Sequence, residues 1–405
     1  TSASSTTTVS LTGGTILGEA YGGALGQKNG VNGATSDIEA YVYGDVLLEL
    51  NKDVADNAKG CAVGQVFGCN NINGTPKGDV KVHIYKTQRD GATRITNGGD
   101  VTNAKVKGTK LSNGDYEPSS FDVKAVYGGG NLAAYDTAEP TNNKTEVIID
   151  GCERTSICQV YGGGNAASTP ATNVTVNGTF EIGELFGGGN GKDPVIKDGV
   201  TKPNPGANVG YKDYSEYYEE DGVWKVRDKA AYDTKDERTA ATDPETGIVY
   251  GTGKASVNIY GGTVHRVFGG SNTKGNVRQT AVTLLDEEGE CDFCVDEAYG
   301  GGKSAPMDAE AQLHMACIPG LKAAYGGAQD ADIQDDVKLN ITNGTFDRVF
   351  GGNNENGKIH GTITVNIEET GCKPLIIGEL YGGGNLAPYE APEGKNGPTL
   401  NVRSF

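Results

Sequence analysis

The chain has 405 residues, a formal net charge of −18 at pH 7 and 63 glycines. So acidic a surface repels phosphate backbones and anionic lipids, which argues against nucleic-acid partners and against docking on charged membranes. No run of 18 apolar residues is present, so no segment reads as a membrane-spanning helix and membrane insertion is not expected.

In chain order, residues 1–8 are almost all Ser and Thr and read as a solvated N-terminal segment. From Val9-Ser10-Leu11 onward the chain is a series of short strands. One phrase then recurs ten times, an aromatic residue followed by glycine, at Tyr21, Phe67, Tyr127, Tyr161, Phe186, Phe268, Tyr299, Tyr325, Phe350 and Tyr381. The tightest spacings are 25, 26 and 25 residues. A fixed period of this size marks stacked units rather than one globular core.

Each unit keeps one internal order. A run alternating apolar and polar residues comes first, such as Val174-Thr175-Val176, Val257-Asn258-Ile259, Leu339-Asn340-Ile341 or Val365-Asn366-Ile367. A Gly-Gly or Asn-Gly turn follows, then a further apolar residue, then the aromatic-glycine phrase. Period-two alternation with tight turns means strands. Short strands repeated at fixed offsets predict an all-β fold, a parallel β-helix (β-solenoid) of about ten coils with loop insertions, residues 1–405 forming a single domain. Inward positions then stack like residues, so the aromatics are expected to form a ladder. The glycines after them are expected to turn a corner through positive φ. Asn131, Asn165, Asn190, Asn272, Asn353 and Asn385 are expected at that corner, tolerating the left-handed region and bonding to their stacked copies. Residues 27–60, 86–120 and 191–249 read as insertions, and Ala309–Cys317 is the best candidate for a helix.

The combination Val-Tyr-Gly-Gly-Gly-Asn, Val-Asn-Ile and Gly-Gly-Thr-Val resembles secreted right-handed parallel β-helix proteins of gut bacteria, especially the Bacteroidetes. The resemblance covers most of the chain. It implies an extracellular or cell-surface location and an adhesin-like role. The same fold carries adhesins, polysaccharide lyases and glycoside hydrolases, so it does not assign an activity.

Candidate sites are sparse. The insertion 191–249 holds Tyr211, Tyr214, Tyr217, Tyr218, Trp224 and Tyr232, including the only tryptophan. Rings on a loop can stack on sugars or anchor a protein, so these six are the candidate binding residues. Asp330, Asp332, Asp335 and Asp336 form the densest acidic group; a solvated acidic turn is the preferred reading, and calcium near Asp330, Asp332 and Asp335 is the alternative. Thr137, in Asp136-Thr137-Ala138, resembles the O-glycosylation tripeptide of Bacteroidetes exported proteins. Eight cysteines favour disulfides and an oxidising compartment. Cys61 with Cys69, and Cys152 with Cys158, are close enough in sequence for local bridges; Cys291 and Cys317 each precede their motif tyrosine by eight residues and are placed to face each other across coils.

No catalytic signature rises above the repeat. A glycosidase or lyase on this fold needs carboxylates facing one groove from neighbouring coils. The outward strand positions read mostly as Asn, Thr, Lys and Ser, with Glu181, Glu184 and Glu379 candidates by location only. His265, in Thr-Val-His-Arg-Val, is expected to face solvent. The reading therefore leans away from an enzyme. It favours a structural or adhesive protein contacting a host or bacterial surface protein or glycan. The alternatives are a carbohydrate-active enzyme and a subunit of a fibre that self-associates through its solenoid ends.

Overall fold

The structure, a computed structural model, describes residues 6–55, 58–88, 107–135, 144–191, 195–197, 200–202, 207–210, 217–220, 223–226, 253–286 and 291–404. These residues form a parallel β-solenoid with 19 strands in one sheet system. One ladder begins Thr6–Leu11, Asp45–Leu50, Val80–Ile84, Thr145–Ile149, Thr172–Val176, Lys254–Ile259 and Gln279–Leu285, each strand parallel to the next. The other begins Thr15–Tyr21, Ala62–Phe67, Val123–Tyr127, Ser156–Tyr161, Glu181–Phe186, Thr263–Phe268 and Cys294–Tyr299. Two long strands, Ala311–Tyr325 and Val337–Phe350, run through both. A third, shorter side is made of single bridges that pass from Thr169 through Val209, Val277, Met307 and Ile333 to Ile359.

The core is a set of columns. Leu48, Val82, Val147, Val174, Val257, Val282, Leu313, Leu339 and Val365 sit in register, one per coil, and all are buried. Each such side chain contributes about 1.5–3 kcal/mol when buried, so β-branched alternation in every repeat is enough to hold a thin core.

The ten aromatics do stack. Successive ring centroids lie 4.5–5.0 Å apart and the planes are within 12° of parallel. The column is not part of the main core, however. The residue before each ring packs in the main core, as Val66, Val126, Val160, Leu185 and Val267 do. The rings form a separate cluster with Ala125 and Ala323 on the opposite face of the strand. They are shielded there by each other's faces and by asparagines: Tyr161 Oη donates to Asn190 Oδ1 at 3.1 Å and accepts from Asn272 Nδ2 at 3.1 Å.

The expected corner chemistry is corrected. The first glycine after each aromatic does not adopt positive φ. It is required by close approach: a Cβ on Gly68, Gly128, Gly162, Gly187, Gly269, Gly300, Gly326 or Gly351 would lie 2.2–2.4 Å from the carbonyl oxygen of the equivalent glycine in the next coil. The asparagines likewise avoid the left-handed region but form the expected ladder. Asn131, Asn165, Asn190 and Asn272 each donate to the asparagine one coil back, at 2.8–2.9 Å. Asn353 instead receives the Ala328 N–H, and its neighbour Asn354 takes the ladder bond from Asn385.

Other expectations also change. Ala309–Cys317 is not a helix, because Ala311–Tyr325 is a strand whose alternate residues enter the core. Asp45–Leu50, assigned to an insertion, is a rung of the first ladder. Within 191–249, Val209 bridges Thr169 and Val277 and belongs to the third side.

The cysteine pairing differs from both local bridges expected. The disulfides are Cys152–Cys291 and Cys317–Cys372, spanning 139 and 55 residues. Cys61, Cys69 and Cys158 are free thiols, and Cys291 does not meet Cys317. The reason lies in the columns: Cys61, Cys69 and Cys158 occupy buried positions within their own coils, whereas the turns carrying Cys152 and Cys291 stack beside Gly178. Peptide mapping without reduction should recover these two long-range pairs and no local bridge. Reduction should lower stability by about 2–5 kcal/mol per bridge.

Candidate functional site

Outward carboxylates do gather on neighbouring coils, contrary to the sequence reading. Three consecutive strands of the second ladder, Glu181–Phe186, Thr263–Phe268 and Cys294–Tyr299, present Glu181, Glu184, His265, Arg266 and Asp296 on their outer face. The local cause is a broken alternation. Val264 and Val267 both enter the core, three residues apart, so His265 and Arg266 between them both turn outward.

His265 is half-buried, not solvated. Its Nε2 lies 2.8 Å from Glu181 Oε1 and its Nδ1 lies 2.7 Å from Asp296 Oδ2. Lys322 Nζ reaches the other Asp296 oxygen at 2.8 Å. Glu181 is fully buried and also accepts the Gly108 N–H at 2.6 Å. Burial alone would lower the His265 pKa, but the two carboxylates outweigh it and raise it. The His265 contact in turn pulls Asp296 down to about 2. Both ring nitrogens are held by carboxylates, which favours the charged form of His265 and leaves neither nitrogen free to act as a base.

Beside this triad lies a second group. Arg266 Nη2 pairs with Glu184 Oε1, which Lys303 Nζ also reaches at 3.0 Å; Gln159 Nε2 donates to Glu184 Oε2 at 2.9 Å. Asp115 Oδ1 closes the group from above, 2.7 Å from Lys303 Nζ and 3.3 Å from Arg266 Nη2.

Asp115 belongs to a small hairpin laid across the sheet. Lys110 and Tyr116 bridge antiparallel, Leu111 N–H donates to Asp115 O at 2.7 Å, and Gly114 takes positive φ at the turn. The Tyr116 ring stacks on His265 with centroids 5.1 Å apart. It packs where a Cβ on Gly183 would lie 3.0 Å from Tyr116 Cγ. A glycine inside the strand Glu181-Ile182-Gly183-Glu184-Leu185-Phe186 marks a close approach, here first to Cys158 O, 2.7 Å from a Gly183 Cβ, and then to the Tyr116 ring. Nothing identified Tyr116 as the ring that fills it.

Tyr217 and Tyr218 lie on the strand Tyr217–Glu220, paired antiparallel with Val223–Val226, which carries Trp224. Tyr211, Tyr214, Tyr232 and Thr137 lie outside the described residues. The acidic turn is used by the fold itself: Asp332 accepts the Lys358 N–H at 2.7 Å, Asp335 accepts the Asp336 N–H at 2.8 Å, and Asp336 accepts the Thr362 N–H at 2.7 Å. Asp330 is exposed and bridges Asn356 through its backbone.

Comparison with protein-family models, curated proteins and solved structures gave no match.

Proposed function

We propose that the chain is a structural and adhesive β-solenoid of an extracellular or cell-surface protein. The observation that supports it most directly is the pair of disulfides. They join segments 139 and 55 residues apart in a stack that the aromatic column already makes continuous. Such bridges persist in oxidising compartments, and a rod cross-tied between coils suits a part that holds other molecules at a distance. The enzyme reading is weaker, because the carboxylate–histidine group on these coils has both imidazole nitrogens of His265 engaged, and the other such contact among the described residues, His83 with Asp150, is a single pair.

The insertion after Gly210 is the proposed contact surface, being where the sequence gathers Tyr and Trp. Its base is closed: a Cβ on Gly210 would lie 2.2 Å from Gly253 Cα. Removing residues 211–252 and joining Gly210 to Gly253 should therefore leave the coils folded, because each coil depends mainly on its neighbours. The test sets the full chain and this deletion side by side on glycan arrays and on bacterial and host cells. Retention by the full chain that the folded deletion loses supports the reading. Release of reducing or unsaturated sugar from a polysaccharide, abolished by one Asp or Glu substitution, would replace it with the enzyme.

A further inference from the structure

We propose that Arg266 and Lys303 form a binding site for a carboxylate ligand, and that the chain's own Asp115 occupies it. This stands apart from the scaffold reading and does not depend on it. Two cations are held on the outer face of a protein whose net charge is −18, and both are largely withdrawn from water. The Arg266 side chain is 7% exposed and the Lys303 side chain 15%.

Two buried cations need compensation, and the sheet supplies one anion, Glu184, which both contact. Glu297 is in register with Arg266 in the next coil, but it accepts a hydrogen bond from Tyr299 at 3.0 Å and, among the described residues, makes no ion pair. The second anion comes from the hairpin. Asp115 stands at its tip, beside Gly114, and its side chain is 44% exposed although its partners are buried. Asn113 Nδ2 steadies the other oxygen at 2.9 Å. The site is not exhausted by these contacts: Arg266 Nε is buried without a hydrogen-bond partner.

The chemistry that recognises Asp115 is that of any carboxylate: a guanidinium N–H and an ammonium converging on one oxygen. What sets Asp115 apart is its tether. A tethered group acts at an effective concentration in the millimolar range, so a free monocarboxylate competes poorly while the hairpin is down. Lifting the hairpin tip exposes a site with one positive charge in excess, counting Arg266 and Lys303 against Glu184. A ligand carboxylate then replaces the Asp115 carboxylate, with no covalent change.

The test uses acetate as the probe. Acetate binding is measured by ligand-observed NMR on the wild-type chain, on Asp115→Ala, and on Asp115→Ala combined with Arg266→Gln. Asp115→Ala is expected to bind acetate about tenfold more tightly than wild type or better, since the competing conformer is removed. The double variant is expected to lose that gain. Glucuronate and N-acetylglutamate, offered to Asp115→Ala in turn, tell a sugar acid from a peptide acid by which binds tighter. A folded Asp115→Ala chain that takes up acetate no better than wild type overturns the proposal. So does equal binding by the double variant. If Asp115→Ala does not fold, the near-isosteric Asp115→Asn is used instead, and failure of both to fold makes Asp115 a structural partner and also ends the proposal.

Discussion

Replacing His265 with alanine is expected to cost about 3–5 kcal/mol of stability, the usual penalty for removing one partner of a buried ion pair. The substitution leaves the fully buried Glu181 with a single donor, the Gly108 N–H. It also takes away the surface on which Tyr116 stacks, so the hairpin loses that anchor as well. Denaturant unfolding of His265→Ala beside wild type gives the value. A loss below about 1 kcal/mol would mean that Glu181 finds another partner or water.

The same contact fixes the pH dependence. The His265 pKa is raised, the two carboxylates outweighing burial. A raised histidine contributes stability that is fully present below its unfolded pKa, about 6.5, and is lost as pH rises through the folded value. Asp296 is depressed to about 2, chiefly by His265. Its contribution is present above its unfolded pKa of about 3.9 and is lost as pH falls toward 2. The other charges facing the group are Lys322 on Asp296 and, alongside, Glu184, Arg266, Lys303 and Asp115. Thermal melts across pH should therefore show a plateau falling on both sides, and His265→Gln should flatten the alkaline limb. An unchanged alkaline limb in that variant would count against His265 as its source.

The repeat was readable because it is written in every coil. Val257-Asn258-Ile259 and its counterparts state strand, inward face and period at once, and a solenoid needs little more. The site was not readable for the opposite reason. Glu181, His265 and Asp296 are spread over more than a hundred residues and meet only because coils stack in register. Thr263-Val264-His265-Arg266-Val267 read as simple alternation would send Arg266 inward if His265 faces out; in the structure both face outward, under a hairpin from far upstream. The disulfides failed in the same way, since spacing along the chain says nothing about which turns lie one above another. The glycines were legible as obligatory but for the wrong reason, and that difference has a measurable consequence.

Gly187→Ala is expected to destabilise the protein by about 3 kcal/mol or more, at or beyond the upper end of ordinary overpacking. Gly187 has an ordinary φ, so if conformational freedom were its role alanine would be harmless. The methyl would instead lie 2.3 Å from Gly269 O and 3.1 Å from Val257 Cγ2. The first of these is backbone of the next coil and cannot turn aside as a side chain would. Relief requires the two coils to separate, which stretches the Gly187 N–H to Phe268 O hydrogen bond, 2.8 Å long, and the contact between the Phe186 and Phe268 rings, 4.9 Å apart. Stability in a solenoid is carried by such neighbour interfaces, so the damage should be centred there and seen as loss of hydrogen-exchange protection in the coils on either side. Gly382→Ala is the control. It holds the same position, directly after Tyr381, but the nearest atoms to its Cβ position are side-chain ones, Leu400 Cδ1 at 2.7 Å and Pro398 Cβ at 3.1 Å, which can shift, and it should cost distinctly less, about 1 kcal/mol. Equal effects from the two substitutions would show that the glycines serve the turn itself; a large loss at Gly187 alone makes coil-to-coil approach the reason the phrase recurs.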